Sequence, residues 1–464
     1  MCVCIFSVYI TLSPVIICDI TKMCGIYCCL QQKKKDEYTT SSIEINELTK
    51  QLLENRGPNQ NAEITLKIDH YEILFSGFVL WQQGANKLCP QPHSYKNHII
   101  LINGDIFTKR EDLAISDTEW LTLQIDKCKD ESELLDLFRR LKGPFSIIYY
   151  NLNVKKLYFL RDIFGRQSFL LAKTNSHNII LSSVLGASLE QHYTKCIELN
   201  PLGVFCIDLM KEDIIIQLNP WQPLNEENFT QTNELQDFLN TTIELRPSIG
   251  SIWLELDNIS YFYNFQSILD SYEIQGKSYV DIFEQLLKNN NVVSVCDEVI
   301  LRLEKSLLDR TINTPYVCKE CLQAKDIDFS SCCHARIGIL FSGGIDCTIL
   351  AVLMDKVLNP SQEIDLINVS FEKINRSGVK NEIDYNTRFN TPDRVSAKNA
   401  VDELKQINPE RKWNLVEVNV SRNELSDALK TRIRHLVFPL RTVLDESLGC
   451  VLWFGARGKG IKFL

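Results

Sequence analysis

Residues 336–357 read RIGILFSGGIDCTILAVLMDKV. An apolar run, Arg336–Phe341, gives way to Ser342-Gly343-Gly344-Ile345-Asp346. An apolar stretch of helical length, Ile345–Val357, follows. A buried strand that enters a helix through glycines is the signature of a parallel sheet. The glycines let the chain turn tightly and aim backbone N–H groups at an anion. The positive end of the next helix adds to that attraction, so phosphate is the natural ligand. Asp346 stands where it can hold the accompanying Mg²⁺. No Gly-Lys-Ser/Thr follows, so this is not a Walker A loop. Downstream the pattern continues as strand Ile364–Phe371, helix Asp393–Ile407, strand Trp413–Val420 and helical segment Arg422–Arg434. This alternation predicts a doubly wound α/β sheet. Upstream, Val293–Arg310 reads as a helix with Val295, Val299, Leu303 and Leu307 on one face.

The first half of the chain has a different rhythm. Short alternating or apolar runs recur at Ile26–Leu30, Tyr71–Leu80, His98–Ile102, Ser146–Asn151, Leu157–Leu160, Asn178–Ser182 and Val204–Leu209. Turn signals such as Asn103-Gly104-Asp105 and Asn200-Pro201 separate them, and amphipathic stretches lie at Ile43–Asn55 and Glu131–Leu141. This pattern predicts an α+β domain on antiparallel sheets. Residues 222–290 are polar and weakly patterned, which suggests a linker or insertion. The chain divides accordingly into 1–22, 23–221, 222–291 and 292–464.

The 464 residues carry 50 Lys and Arg against 59 Asp and Glu, a net charge of −9. No excess of cations is available to displace counterions from a phosphate backbone, so nucleic acid is not an expected partner. Seventeen scattered cysteines, an odd number, read as reduced thiols rather than a disulfide framework. The apolar opening MCVCIFSVYITLSPVIICDI lacks a basic start and contains Pro14, unlike a signal peptide or a membrane span. Residues 1–22 read as an upstream extension, with Met23 opening the functional chain. Nothing later reaches membrane length, so a cytoplasmic location without a membrane partner is expected. Lys33-Lys34-Lys35 reads as a solvated turn. Cys318, Cys321, Cys332, Cys333 and His334 could offer soft ligands, but adjacent Cys332 and Cys333 suit tetrahedral closure poorly, so no zinc is expected.

Met23-Cys24-Gly25-Ile26 carries a second chemistry. Removal of Met23 would leave Cys24 with a free α-amine, which titrates near pH 7–8 and can serve as base for its own thiol. Several strings follow in order: Arg56-Gly57-Pro58-Asn59, Asn103-Gly104-Asp105, Ser116-Asp117-Thr118-Glu119, Gly143-Pro144-Phe145 and Arg161-Asp162-Ile163-Phe164-Gly165-Arg166. Together they resemble a class II glutamine amidotransferase domain of the N-terminal-nucleophile fold. The Ser342–Asp346 loop resembles the pyrophosphate loop of the N-type ATP pyrophosphatases, also described as adenine nucleotide α-hydrolase-like. A glutaminase ahead of such a loop is the arrangement of asparagine synthetase. The strings Pro392–Ala397 and Trp413–Val420 are similar to the divergent asparagine synthetase domain-containing branch. The resemblance spans about residues 23–220 and 292–464.

The resemblance implies roles residue by residue. Cys24 would attack the glutamine carboxamide and form a thioester. The Asn103 side chain and the Gly104 N–H would form the oxyanion hole. Asp117 would hold the substrate ammonium. Arg56 stands with it among the glutamine-binding candidates, although its motif is not the family's carboxylate grip and a structural role is the alternative. Ser342, Gly343, Gly344, Ile345, Asp346 and Cys347 would hold ATP and its Mg²⁺. Released ammonia would travel inside the protein to aspartate activated as β-aspartyl-AMP. The implied ligands are glutamine, aspartate and ATP.

Four departures from the family pattern stand out. Phe75–Leu80 lacks the strand arginine that grips the glutamine carboxylate, Phe78 standing in its place. The oxyanion string ends in Asp105 rather than Glu, and Cys347 replaces the usual loop serine. The sequence ends at Leu464, before the second acidic loop and later lysine of a complete synthetase. The α/β domain therefore reads as incomplete. These departures favour a catalytically weakened scaffold as the rival reading; an ATP pyrophosphatase acting on another acceptor is a third.

Overall fold

The computed structural model describes residues 23–33, 43–81, 83, 88–108, 110, 112, 115–250, 278–313, 335, 337–373, 388–457 and 459–463. The opening 1–22, Lys34 and Lys35, and the cluster from Cys318 to His334 lie outside them. Among the described residues no helix is long and apolar enough to cross a membrane, and no disulfide joins two cysteines.

The first domain holds β1 (Gly25–Gln32), α1 (Glu47–Arg56), β2 (Gln60–Ile68), β3 (Tyr71–Val79), β4 (His93–Tyr95) and β5 (His98–Gly104). Next come α2 (Asp117–Lys127), α3 (Glu131–Arg140), β6 (Phe145–Asn151), β7 (Lys156–Arg161), β8 (Leu170–Thr174) and β9 (Ile179–Ser182). It ends with β10 (Tyr193–Glu198), β11 (Gly203–Asp208), β12 (Ile215–Pro220), α4 (Glu226–Leu239) and β13 (Thr242–Leu245). One sheet has the order β10-β8-β9-β1-β3-β2, the other β13-β12-β11-β7-β6-β5-β4.

Period-2 alternation explains the layers. Ile26, Cys28, Phe75, Leu101, Ile148 and Phe159 fill the space between the two sheets. The residues between them point the other way. Tyr27, Cys29, Leu74 and Phe78 pack with Leu52 and Leu53 of α1. Ile100, Ile102, Ile147 and Tyr149 pack with Leu121 and Ile125 of α2 and with Phe138 of α3. The result is two face-to-face sheets with helices on both outer sides.

The polar stretch after Trp221 is not unstructured linker throughout. Helix α4 starts at Asn225, whose side chain accepts from the Asn228 N–H. It leads into β13, which pairs in parallel with β12. Thr232, Leu235 and Leu239 supply the buried face, too thin a stripe among Asn, Gln and Glu to stand out in the sequence.

Beyond lie α5 (Tyr279–Leu286), α6 (Asn290–Thr311), β14 (Ile337–Leu340), α7 (Ile345–Val357), β15 (Ile364–Phe371), α8 (Pro392–Ile407) and β16 (Trp413–Val420). The described chain ends with α9 (Arg422–Ala428), a π turn at Leu429–Ile433, α10 (Arg434–Val437), α11 (Val443–Ala456) and β17 (Ile461–Phe463). β14, β15 and β16 are parallel, and β17 adds antiparallel to β16. Ile364 and Leu366 face a core shared with α6, α7 and α8. Ile367, Val369 and Phe371 face the other side, against Ile433, Cys450 and Phe454. Arg394, on α8, ties that helix to the sheet through Glu417 at 2.6 Å and Asn368. The stripe read on α6 is buried only at its C-terminal end: Leu307 is buried, while Val295 is 46% and Val299 51% exposed. The early turns of α6 run past the core they were expected to cover.

Candidate active site

Cys24 opens β1 beside the end of β3. Its Sγ lies 3.4 Å from the Leu80 N–H, which donates to it, and 3.9 Å from Gln91 Nε2. Burial pushes the thiol up to about 12, with the carboxylates of Asp117 and Asp105 adding to the effect and the Leu80 contact and Arg56 opposing it. A thiol in this setting reacts only with a base at hand.

Asn103 ends β5 with its side chain fully buried. Its Oδ1 accepts from Arg56 Nη2 at 3.4 Å, while its Nδ2 has no partner. A buried donor without an acceptor is costly and marks a group kept for a ligand. Arg56 does not line the cavity at Cys24; it orients the Asn103 amide instead. It is also close enough to Cys24 for its charge to favour the thiolate. Gly104 takes φ +134°, and a Cβ there would lie 2.1 Å from the Pro144 carbonyl oxygen. Only glycine permits that approach.

The cavity beside Cys24 is lined by Leu80, Gln83, Gln91, Gly104, Asp105 and Asp117, among others. Asp117 begins α2, capped by Ser116, whose Oγ accepts from the Glu119 N–H at 3.1 Å. Its Oδ1 accepts the Thr118 N–H at 2.8 Å, and burial raises its pKa. Asp105 is pushed up to about 6 by burial and then by Asp117; Gln83 and Arg110 oppose the rise.

Three residues here escaped the sequence reading. Arg110 is buried, donates to the Ile115 carbonyl at 2.9 Å and to Gln83 Oε1, and has a partnerless Nε. Gln83 Nε2 donates to Asp105 Oδ1 at 2.8 Å. The Gln83 carboxamide is thus held like an amino-acid head group: its oxygen on a guanidinium, its nitrogen on a carboxylate. With that side chain in place the remaining space is only about 30 Å³, room for a few waters and not for a glutamine. Gln91 links Cys24 to the frame: its Oε1 accepts the Ile102 N–H at 2.7 Å and its Nε2 reaches Thr118 Oγ1 at 3.2 Å. A buried glutamine between Pro90 and Pro92 is the one local signal that could have marked it.

A second cavity, of about 350 Å³, opens at the carboxyl ends of β14 and β15. Ser342, Gly344, Asp346, Asn368, Ser370 and Asp393 supply polar lining, and Leu448, Val451 and Leu452 of α11 close it. Gly344 is the N-cap of α7 without a side-chain cap, so the first turn keeps N–H groups available for an anion. Gly343 has φ +76°, and a Cβ there would meet the Ser396 carbonyl carbon at 2.3 Å. Ile345 points outward, 75% exposed, so only its backbone can serve a phosphate. Cys347 lines the cavity but is anchored: its thiol donates to the Gly344 carbonyl at 3.1 Å and packs into the core.

The paired sheets and the Cys24–Asn103 site define a class II glutamine amidotransferase domain, and residues 23–214 match the family model described as a glutamine amidotransferase domain. An asparagine synthetase domain-containing protein of Drosophila melanogaster is 35% identical over 437 residues, covering 94% of this chain and 74% of that protein. The Homo sapiens asparagine synthetase domain-containing protein 1 is 31% identical, covering 94% and 73%. The chain belongs to the family of asparagine synthetase domain-containing proteins. A solved glutamine phosphoribosylpyrophosphate amidotransferase from B. subtilis is a distant likeness, 13% identical with TM-score 0.30 over 43% of this chain and 50% of that one.

Proposed function

We propose that the chain hydrolyses glutamine at Cys24 and delivers the ammonia to an ATP-dependent amide-forming site at Ser342–Asp346, with aspartate as acceptor. The observation that carries the first half is the partnerless Asn103 Nδ2 held by Arg56 beside a buried thiol. Freed of the residues before it, Cys24 offers an α-amine that takes the thiol proton. Sγ then bonds the carboxamide carbon, and Asn103 Nδ2 and the Gly104 N–H receive the oxyanion. As the C–N bond breaks, the ammonium proton passes to the leaving nitrogen and ammonia departs. Water then cleaves the thioester to glutamate.

Arg110 takes the role of the absent strand arginine and grips the α-carboxylate, while Asp105 and Asp117 hold the ammonium. Glutamine would displace the Gln83 side chain from both partners.

The fit of the second cavity to Mg·ATP rests on the uncapped α7 N-terminus, the close Gly343 turn and Asp346 on the wall. Asp346 would hold Mg²⁺, which neutralises charge on the departing pyrophosphate. Ser342, Gly343 and Gly344 would cradle the phosphates, and Ile345 would contribute its N–H. The ligands of the reaction are then glutamine, aspartate and ATP, with a ligase of the asparagine synthase type as the activity.

A second reading, a family member that keeps the fold with little turnover, draws on the site's closure by Gln83. Glutaminase kinetics on a chain beginning at Cys24 separate the two. Arg110→Ala should raise KM for glutamine about 10- to 100-fold with kcat changed little, the loss of a charge-assisted pair. An unchanged KM removes Arg110 from the site; no ammonia release above that of Cys24→Ala favours the low-turnover reading.

A further inference from the structure

An opening with no role assigned above lies between the two domains. It has a volume of about 280 Å³, at the lower edge of the range for small-molecule sites, ~300 Å³ upward. Residues of the first domain form one wall, and Arg302, Lys305, Ser306, Asp309 and Arg310 of α6 form the other. We propose that this cavity binds a small phosphorylated organic anion with a planar ring, of nucleoside monophosphate size, and reports its presence to the glutaminase site.

Charge is the first argument. Arg139, Lys142, Arg166, Arg302, Lys305 and Arg310 line the cavity against only Asp162 and Asp309, in a chain whose net charge is −9. Asp162 is already spent on Arg166 at 2.9 Å. Burial, and then the nearby charge of Arg166, pull Arg310 down to about 10, with Asp309 opposing. An anion between Arg166 and Arg310 would relieve their repulsion.

The second argument is an unused donor. Trp221 lines the same cavity, is 4% exposed, and its buried Nε1 has no hydrogen-bond partner. A phosphate or ring acceptor would satisfy it. Phe107, Phe164 and Trp221 put aromatic side chains in the lining, with Arg310 over the Phe107 ring and Arg166 over the Phe164 ring at 5.2 and 5.4 Å; stacked arginine–aromatic pairs of this kind can take a planar ring on an open side.

The third argument is position. Phe107 lines the cavity two residues after Asp105, and its N–H donates to the Lys142 carbonyl, also in the wall, at 2.7 Å. Arg310 sits 5.2 Å over the Phe107 ring. From the end of α6, Asn313 Nδ2 donates to the carbonyls of Ile106 and Thr108, each at 3.2 Å. The loop that carries Asp105 is therefore clamped by the same elements that would close on the ligand.

The test uses adenosine 5′-monophosphate as probe on the chain beginning at Cys24 and carrying Gly343→Ala, which forces the other phosphate loop away from α8. Isothermal titration should show one site. The exposed-face pair Arg302→Glu and Lys305→Glu should weaken it about tenfold or more, and Trp221→Phe, which keeps the ring but not the donor, several-fold. Thermal melts confirm that the variants fold. Adenosine alone and inorganic phosphate alone should each bind at least about tenfold more weakly than the nucleotide. Absence of binding, or binding that neither substitution changes, overturns the site. Inorganic phosphate binding as tightly as the nucleotide overturns the ring. Nucleotide binding that leaves the rate of Cys24 labelling by a diazo-ketone glutamine analogue unchanged overturns the coupling. Since the binding arm does not depend on turnover, its failure is distinct from failure of the glutaminase reading.

Discussion

Asp105 and Asp117 share one buried corner, and that fixes how the site should respond to pH. An unfolded aspartate titrates at roughly 3.9; in the fold, burial and the neighbouring Asp117 push Asp105 up to about 6. The raised value means that folding favours the protonated form. Its contribution to stability is full below about pH 4 and is lost as pH rises through about 6. Asp105→Asn should therefore melt with wild type near pH 4 and several degrees above it at pH 7–8, by fluorimetry across pH, while losing affinity for glutamine. Equal melting at both ends would remove the buried charge from the account. Cys24, Asn103 and Asp117 could be singled out in the sequence because each sits in a short motif. Arg110, Gln83 and Gln91 were not: Gln83 meets Asp105 and Gln91 meets Cys24 across 22 and 67 positions, and only the fold supplies that proximity. Arg56 was legible as a residue, but its grip on Asn103 rather than on the cavity was not.

Two glycine turns decide whether the elements meet correctly. Gly343 turns at φ +76° against the first turn of α8, where Ser396 Oγ donates to its carbonyl at 3.0 Å. Gly343→Ala combines a strained φ with a Cβ 2.3 Å from backbone, so the loop must leave α8. Binding of Mg·ATP should fall more than about tenfold, whereas Cys24 labelling should persist because the first domain is untouched. Retained nucleotide binding, measured by titration, would show that the loop is not the phosphate cradle. The strand–loop–helix reading here was legible to within a residue or two, because a buried parallel sheet writes continuous apolar runs. Helix α4 and strand β13 were not legible, since their four buried positions, Thr232, Leu235, Leu239 and Ile243, are diluted by polar neighbours. The long stripe on α6 misled in the opposite direction: periodicity reports a face, not what covers it.

At the scale of the whole molecule the two domains are stitched at both ends of the interface. His435 Nδ1 accepts the Ala187 N–H at 3.0 Å, Arg441 pairs with Glu190, and Phe438 packs into the core cluster behind β1 and β3. Asn313 holds the loop after Gly104 from the far side. A shared, partly apolar interface of this kind fixes the two sites relative to each other, as the proposed transfer of ammonia would require. The proposed glutaminase chemistry rests on one atom, the Sγ of Cys24. The decisive measurement is peptide mass mapping after exposure to a diazo-ketone analogue of glutamine. Three proteins are compared: the chain beginning at Cys24, the same chain with Cys24→Ala, and the chain retaining the preceding residues. A single adduct on Cys24 of the first, with none on the second and little on the third, is the predicted result. Equal labelling of the first two, or no adduct on any, would contradict it.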